Sequence, residues 1–275
     1  MIVKTALKLS ELSPWFRRFL WRRWYQYLAG YQVSDWRFMN YGYAPVEFDE
    51  PSLKLQPEDE ADRYVIQLYH QVARAVDLRD RDVLEVGSGR GGGASYIKRY
   101  HQPRRMTGVD FSARAVRFCR KQHRLEGLSF VHGDAEALPL GDEMFDAVIN
   151  VESSHCYGSM PAFLREVDRV LRPGGHFLFA DLRAAADRDR LDAQLRETGM
   201  ELVEQQDVTR NVLEALRLDS KRKQALIKRS VNRQLVRLFR QFAAVDGSQV
   251  FEGFRSGALV YLQYVLRKRD ACAKH

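Results

Sequence analysis

Residues 83–97 read VLEVGSGRGGGASYI, in which a short apolar segment runs into a glycine-rich loop and then into a helical pattern. Val83, Leu84 and Val86 predict a buried β-strand, and the segment after Ala94 can begin a helix. Glycines in the loop permit a tight turn and a close approach of the backbone to a ligand. Strand, glycine loop and helix in this order are typical of nucleotide-binding α/β proteins.

The glycine loop narrows the choice of ligand. It has the pattern acid-x-Gly-x-Gly-x-Gly, formed by Glu85, Gly87, Gly89 and Gly91. The Glu85 carboxylate can receive the ammonium group of S-adenosylmethionine but would repel a pyrophosphate, so the pattern favours that cofactor over NAD. Two alternatives stay open. A dinucleotide fingerprint also fits Gly87, Gly89 and Gly92, and a glycine turn can form without any ligand.

Asp110 ends the next predicted strand, 21 residues after Gly89. A carboxylate at this point can accept hydrogen bonds from both hydroxyls of a ribose. Phe111 beside it can stack on an adenine ring. The alternative is that the acidic strand end caps the following helix, a role that Ser112 can share.

The third predicted strand closes with Gly133-Asp134-Ala135-Glu136. Here Asp134 can accept a hydrogen bond from the adenine amino group while the Ala135 backbone meets a ring nitrogen. Gly-Asp is also ordinary turn chemistry, so this signal is weak when taken alone. It gains weight as the third strand end in order, because ligands of such sheets bind at the carboxyl ends of the strands.

A histidine follows the fourth predicted strand, in the segment Ser153-Ser154-His155-Cys156-Tyr157. Because the ordinary pKa of histidine lies near neutrality, His155 suits the removal of a proton from a hydroxyl, a step that typically contributes about 10²–10⁴-fold. Asp181 ends the fifth strand and can orient or stabilise the imidazole. The alternative is that His155 caps the next helix while Asp181 pairs with Arg183.

These motifs define the expected site. His155 and Asp181 are the expected catalytic residues. The turn-like segment Asn40-Tyr41-Gly42-Tyr43 is expected to cover the cofactor. We expect cofactor contacts from Tyr41, Glu85, Gly87, Gly89, Gly91, Asp110, Phe111, Asp134, Ala135, Glu136 and Val151, and substrate contacts from Tyr43, Glu152 and Tyr157.

Short apolar strands alternate with helical patterns along most of the chain. The predicted strands are 82–86, 106–110, 128–132, 145–151, 176–181 and 258–267, and the predicted helices are one from Pro57, then 112–124, 161–171 and a mainly helical 209–243. This alternation predicts an α/β, Rossmann-like, doubly wound and mostly parallel sheet, for which we expect seven strands. We divide the chain into an N-terminal helical and aromatic cap, 1–56, and a catalytic domain, 57–275, with a helical lid at 209–256 before the final strand.

The composition limits the class of protein. The chain has 275 residues, a net charge of +8 and three widely spaced cysteines, which fit neither a disulfide framework nor a zinc site. Its apolar runs are shorter than the roughly 18 residues of a membrane span, so we expect a cytoplasmic protein. Nine bases and one acid occupy 217–240; such a patch can attract an acidic partner or be a solvated helix face.

Residues 13–31 interleave aromatic residues with arginines. One helical face can carry Trp15, Phe16, Phe19, Leu20 and Trp24. Such a helix can contact a membrane surface or a hydrophobic substrate, or it can pack on its own domain.

Taken together, these motifs resemble the class I S-adenosylmethionine-dependent methyltransferases. The stretches VLEVGSGRGGGASYI, FVHGDAEALP, NVESSHCY, EVDRVLRPGG and ADLR look most similar to mycobacterial phthiotriol and phenolphthiotriol dimycocerosate methyltransferases, and natural-product O-methyltransferases look similar too. The resemblance implies O-methylation of a long lipid, with His155 and Asp181 at positions that some relatives use for catalysis. Leu182 follows Asp181, where metal-dependent relatives have Asn, so we expect no metal.

The resulting hypothesis is an O-methyltransferase acting on a hydroxyl of a hydrophobic small molecule or lipid and releasing S-adenosylhomocysteine. N-methylation, a cofactor-retaining cyclase and a non-enzymatic binding protein are the alternatives. Nucleic acid is not an expected partner, because Asn150-Val151-Glu152-Ser153 differs from the Pro-Pro-aromatic motif usual in amino methyltransferases of nucleic acids. A homodimer and a peripheral membrane contact are further expectations.

Overall fold

The computed structural model describes residues 36–46 and 53–270. Its strands are β1 (Asp82–Val86), β2 (Arg105–Asp110), β3 (Leu128–His132), β4 (Phe145–Val151), β5 (Leu171–Ala184), β6 (Glu201–Asp207) and β7 (Leu259–Arg267). Its helices are α1 (Arg63–Ala73), α2 (Gly92–Tyr100), α3 (Ala113–Gln122), α4 (Met160–Val170), α5 (Arg188–Arg196), α6 (Thr209–Ser230), α7 (Val236–Phe242) and α8 (Gln249–Ser256). Short 3-10 turns occupy Pro57–Asp62, Ser154–Cys156 and Ala185–Asp187.

The strands form one seven-stranded sheet in the order β3-β2-β1-β4-β5-β7-β6. Parallel pairs join β3, β2, β1, β4 and β5, which confirms the Rossmann-like α/β prediction. The sheet is nevertheless mixed, because β7 runs antiparallel to both β5 and β6. The carboxyl ends of β1 to β4 therefore meet at one edge, as the strand-end motifs require.

Side chains of the central strands alternate between two hydrophobic cores. Val83 and Ile149 pack into the core under α1 and α2, whereas Leu84 and Val148 pack into the core under α4 and α5. All four are fully buried. Each such side chain contributes about 1.5–3 kcal/mol relative to an exposed position, which makes the central strands a rigid support for the loops at their ends.

Strand β6 was not located by the sequence pattern. It lies at the sheet edge, where Leu202 is 43% exposed and Val203 is 54% exposed. A register shift between Leu202 and Glu204 interrupts the regular pairing with β7. An edge strand with exposed apolar residues and a register shift lacks the period-two burial that identifies a strand in sequence.

Three helices, α6, α7 and α8, lie between β6 and β7 and match the predicted helical stretch before the final strand. Whether this segment moves as a lid stays a prediction, as do the domain boundaries. The predicted helix at 13–31, and the predicted cap apart from 36–46 and 53–56, lie outside the described residues. Within the described ranges, every helix is too short or too polar to cross a membrane.

Candidate active site

A cleft of about 1050 Å³, measured to its open mouth, lies at the carboxyl ends of β1 to β4. It is lined by many of the residues predicted from sequence: Gly87, Gly89, Asp110, Phe111, Asp134, Ala135, Glu136, Val151, Glu152 and Tyr157. The predicted residues Tyr41, Tyr43, Glu85, Gly91, His155 and Asp181 stand outside this lining. The sheet thus brings four separate strand ends to one cleft, as expected for a ligand site of this architecture.

The loop after β1 depends on glycine at two points. Gly87 has φ +79° and Gly89 has φ +53°, values that L side chains rarely adopt. A Cβ on Gly87 would lie 2.3 Å from the Ser153 hydroxyl oxygen, which excludes a side chain there. The backbone N–H of Gly89 donates to Asp110 Oδ2 at 2.8 Å, so the loop and the end of β2 hold one another.

Asp110 lines the cleft with a carboxylate that is already oriented. Its Oδ1 accepts the N–H of Ser112 at 2.8 Å, and burial raises the pKa of the carboxyl to about 6. The Ser112 hydroxyl accepts the N–H of Ala115 and thereby caps α3. The residue that caps this helix is therefore Ser112 rather than Asp110. Each carboxylate oxygen retains a second lone pair, and Asp110 can therefore accept further hydrogen bonds from a ligand.

The loop after β3 is linked to the loop after β4. Asp134 Oδ1 accepts the N–H of Glu136 at 3.1 Å, and Glu136 Oε1 accepts the N–H of Gly158 at 2.8 Å. The Gly-Asp turn is therefore present, and it also lines the cleft. These bonds fix two walls of the cleft relative to each other.

Glu85 lies beneath the glycine loop, buried against α1. Its Oε1 accepts the Tyr69 hydroxyl at 2.7 Å, and burial raises the pKa of the carboxyl to about 8. Its Oε2 is buried without a hydrogen-bond partner, as is the hydroxyl of Ser88, which lines the cleft. Two unsatisfied buried acceptors beside a cleft are typical of a polar ligand site.

Two other predicted residues occupy structural positions. Gly91 precedes α2 with φ +77°, and a Cβ there would lie within 3.0 Å of Phe130 and His123. Tyr43 is buried in the hydrophobic core, and its N–H donates to the Tyr64 carbonyl at 2.9 Å. Neither residue lines the cleft, so the predicted substrate contact of Tyr43 stays a prediction.

His155 and Asp181 are in direct contact next to the cleft. His155 Nδ1 lies 2.8 Å from Asp181 Oδ1, and its backbone N–H donates to Asp181 Oδ2 at 2.9 Å. Burial alone would lower the pKa of His155, but its interactions with Cys156 and Asp181 outweigh burial and raise that pKa well above the ordinary value. The same contacts stabilise the Asp181 carboxylate and lower its pKa despite full burial.

Asp181 also binds Arg183, so the alternative pairing exists alongside the histidine contact. Arg183 Nη1 lies 3.0 Å from Asp181 Oδ2, and the Ser154 hydroxyl donates to the same oxygen at 2.6 Å. Asp181 is therefore held by a histidine, an arginine and a serine at once. This fixes its orientation and, with it, the orientation of the imidazole.

Residues 36–46 form a strap along the cleft, and most of its contacts were missed by sequence reasoning. Four strap residues line the cleft: Arg37, Phe38, Met39 and Asn40. The Tyr41 N–H donates to Glu152 Oε2 at 2.9 Å, although Tyr41 itself lines a neighbouring cavity. A segment without helix or strand carries no periodic signal, so only the aromatic patch at 40–43 indicated it.

The residues present fit an S-adenosylmethionine site. The cleft offers a glycine loop with close backbone access, a strand-end carboxylate for ribose, an aromatic ring and an acidic turn for adenine, and the Ser88 hydroxyl, which has no hydrogen-bond partner. The unpartnered Glu85 Oε2 lies buried behind the loop. Among the described residues no group of three or more histidine, cysteine or acidic side chains is arranged to hold a metal ion.

Comparison with known proteins places this geometry in a family. The model of the methyltransferase domain matches residues 84–179. In structure, the StiE O-methyltransferase domain superimposes with a TM-score of 0.66 at 18% identity, covering 86% of this chain and 88% of that one. This likeness shows the shared fold.

Two curated relatives are closer in sequence. The fatty-acid O-methyltransferase of Mycolicibacterium smegmatis is 45% identical over 184 residues, which is 66% of each chain. The phthiotriol/phenolphthiotriol dimycocerosates methyltransferase of Mycobacterium tuberculosis is 41% identical over 251 residues, 90% of this chain and 92% of that one. Identity at this level over nearly the full length shows that the chain belongs to the family of the phthiotriol/phenolphthiotriol dimycocerosates methyltransferases, within the class I S-adenosylmethionine-dependent methyltransferases.

Proposed function

We propose that this methyltransferase transfers a methyl group to a hydroxyl of a hydrophobic small molecule or lipid, with His155 as the general base. The observation that carries the proposal is the 2.8 Å contact between His155 Nδ1 and Asp181 Oδ1, in the same turn as residues that line the cleft. A histidine oriented by a buried carboxylate is the arrangement that proton abstraction requires.

The cofactor would be held by the loop and the strand ends. S-adenosylmethionine, when bound, supplies an electrophilic methyl group on a sulfonium. Gly87 and Gly89 would allow close backbone approach, Asp110 would accept the ribose hydroxyls, and Asp134 would accept the adenine amino group. Glu152, Cys156 and Tyr157 line the part of the cleft next to His155, where the acceptor would enter.

Proton removal is the step that His155 would perform. Its Nδ1 is bonded to Asp181, so Nε2 is the nitrogen that would take the acceptor proton. The pKa of an unactivated alcohol lies far above neutral pH, so the hydroxyl is protonated there. Its oxygen becomes a better nucleophile as a base removes that proton. Asp181 would stabilise the imidazolium formed in this way.

The substrate class rests on the relatives. One acts on phthiotriol and phenolphthiotriol dimycocerosates and the other on fatty acids, according to their names. The strap residues Phe38 and Met39 line the cleft with apolar side chains, which suit an acceptor of similar character. A lipid with a hydroxyl group is therefore the acceptor class that we propose, and a lipid carboxyl group, which the name of the second relative favours, is the second candidate.

Replacing His155 with alanine tests the base. Release of S-adenosylhomocysteine would be measured with 1-hexadecanol and with palmitic acid as acceptors. We expect kcat with the alcohol to fall by about 10²–10⁴-fold, with little change in cofactor affinity. A carboxylate is already ionised at neutral pH and should depend much less on a base.

His176→Ala is the matched control, because His176 lies on the same strand five residues before Asp181 and does not line the cleft. This substitution should leave the turnover of both acceptors unchanged. Near-normal turnover of the alcohol by the His155 variant would remove His155 from the mechanism.

A further inference from the structure

A second cavity, of about 660 Å³, lies on the other side of the strap from the cofactor cleft. Helices α6 and α7 and residue Val65 of α1 form its remaining wall. Arg37, Phe38, Met39 and Asn40 line both spaces, so four consecutive residues are the partition between them. A molecule in the second cavity would be separated from the cofactor only by this single segment of backbone.

The wall contributed by the helices is apolar apart from Arg222, Lys223 and Ser230. Ile227, Val231 and Phe239 are buried in a small hydrophobic cluster there, and Leu226 and Phe242 also line the cavity. This surface offers an aliphatic chain the burial that stabilises it by about 0.8 kcal/mol per methylene.

The charged residues of the wall are bound to one another. Asp62 accepts from Arg37 Nη2 at 2.9 Å and from Arg222 Nη1 at 2.9 Å. Arg222 also donates to Asp219 at 2.6 Å. Because these charges are compensated inside the protein, the cavity does not need an ionic ligand to neutralise them.

One end of the cavity adjoins the reaction site. Tyr41 and Lys223 line this end, and the Lys223 ammonium donates to the Tyr41 carbonyl at 3.1 Å. The Tyr41 N–H in turn binds Glu152, which lines the cofactor cleft beside Cys156. A chain with its polar end at Tyr41 would therefore point that end towards the place where the methyl group is offered.

We propose that this second cavity binds the aliphatic chain of the acceptor lipid, with the polar end of the lipid at Tyr41 and Lys223. The inference rests on the proposed lipid acceptor and adds where its chain is held. It follows from the apolar helix wall, the internal compensation of charge and the shared partition with the cofactor cleft.

Binding of cis-parinaric acid, a fluorescent 18-carbon acid, tests the site without any turnover. We expect saturable binding by the wild-type protein, and displacement by fatty alcohols and fatty acids from 8 to 16 carbons. Affinity should rise by up to about fourfold per methylene until the chain fills the cavity. Displacement by fatty acids alone would show that the site requires a carboxylate at the polar end of the chain. Displacement by both fatty acids and fatty alcohols would show that the aliphatic chain provides most of the binding free energy.

Substitutions in the wall locate the binding. Ala243→Phe narrows the cavity, and Ala225→Phe makes the same change at an exposed position of α6. Leu226→Arg places a charge in the apolar wall. We expect the first and third variants to weaken parinaric acid binding by about tenfold or more, and the Ala225 control to match the wild type.

Calorimetry with S-adenosylhomocysteine separates this inference from the proposed function. We expect all three variants to bind S-adenosylhomocysteine. Binding of parinaric acid should be weakened only in the two cavity variants, Ala243→Phe and Leu226→Arg. The proposed chain site is overturned if the wild type binds S-adenosylhomocysteine but no parinaric acid. It is also overturned if the cavity variants bind parinaric acid as tightly as the wild type does. If the wild type binds no S-adenosylhomocysteine, the proposed function itself fails.

Discussion

Glu152 and Lys223 hold the same residue from opposite sides. Glu152 Oε2 accepts the N–H of Tyr41 at 2.9 Å, and Lys223 Nζ donates to the carbonyl of Tyr41 at 3.1 Å. Glu152 follows β4 with φ +49°, an unusual conformation for a residue with a side chain. Burial raises the pKa of Glu152 and lowers that of Lys223. The strap is thereby coupled both to the cofactor cleft and to helix α6.

Removing the Lys223 ammonium should loosen this coupling. Lys223→Met keeps the length of the side chain and loses the hydrogen bond to Tyr41, so we expect weaker binding of S-adenosylhomocysteine by about three- to tenfold. Lys221→Met removes an exposed charge from the same helix and should have no effect. Calorimetry on both variants checks this, and equal affinities would show that the Lys223 contact does not support the cleft.

Methyl transfer to an alcohol should increase with pH above neutrality. The pKa of His155 is raised well above its ordinary value, and the imidazole becomes a base only as the pH rises through its pKa in the folded protein. We expect kcat/KM to climb with a slope near one in log units and then level off. The pH profile with 1-hexadecanol measures this.

Asp181→Asn should move that rising limb to lower pH. Loss of the carboxylate removes an attraction that favours the imidazolium, so the pKa of His155 falls. The maximal rate should fall as well, because the base loses its orienting partner. A limb that stays in place would mean that His155 is not the group that titrates.

Asp110 should control cofactor affinity rather than the chemical step. Asp110→Ala removes the carboxylate that we expect to accept the ribose hydroxyls and that binds the Gly89 N–H. We expect the affinity for S-adenosylhomocysteine to fall by about 10- to 100-fold, with kcat largely retained at saturating cofactor. Asp142→Ala, at an exposed surface ion pair with Arg169, is the control and should bind normally.

Asp82 should contribute stability that depends on pH. Arg105, with Arg104 and Arg172, lowers the pKa of this buried carboxyl from 3.8. The depressed pKa means that the stabilisation is fully present above about pH 4 and is lost progressively as the pH falls towards the lower pKa of the folded protein. Asp82→Asn should reduce the free energy of unfolding by about 1–3 kcal/mol at pH 7 and by clearly less near pH 2. Denaturant unfolding at both pH values measures the difference, and an equal loss at the two would contradict the assignment.

The motifs that lie on regular elements were the easiest to predict. The glycine loop, Asp110, Asp134 and the turn after β4 are each next to a buried strand, and parallel pairing brings consecutive strand ends to one edge. Local spacing was therefore enough to bring them to the cleft. Helix α4, which ends at Val170, was predicted to within one residue for the same local reason.

Other features depended on contacts between distant parts of the chain. Glu85 turned towards Tyr69 because its side chain lies on the α1 side of β1, which the acid-x-Gly pattern does not reveal. Tyr43 is buried in the core, where its backbone N–H donates a hydrogen bond to the carbonyl of Tyr64, 21 residues away. The edge strand β6 was missed because its exposed residues lack a burial pattern.

The amino-acid order was sufficient to predict the α/β class, to favour S-adenosylmethionine as cofactor and to suggest the pairing of His155 with Asp181, because each prediction follows from residues close to a strand end. The strap, the second cavity and the Glu152–Tyr41–Lys223 contacts emerged from packing between segments up to 182 residues apart. Such contacts leave no local periodicity, since their free energy comes from burial and hydrogen bonds that exist only when the whole chain is folded.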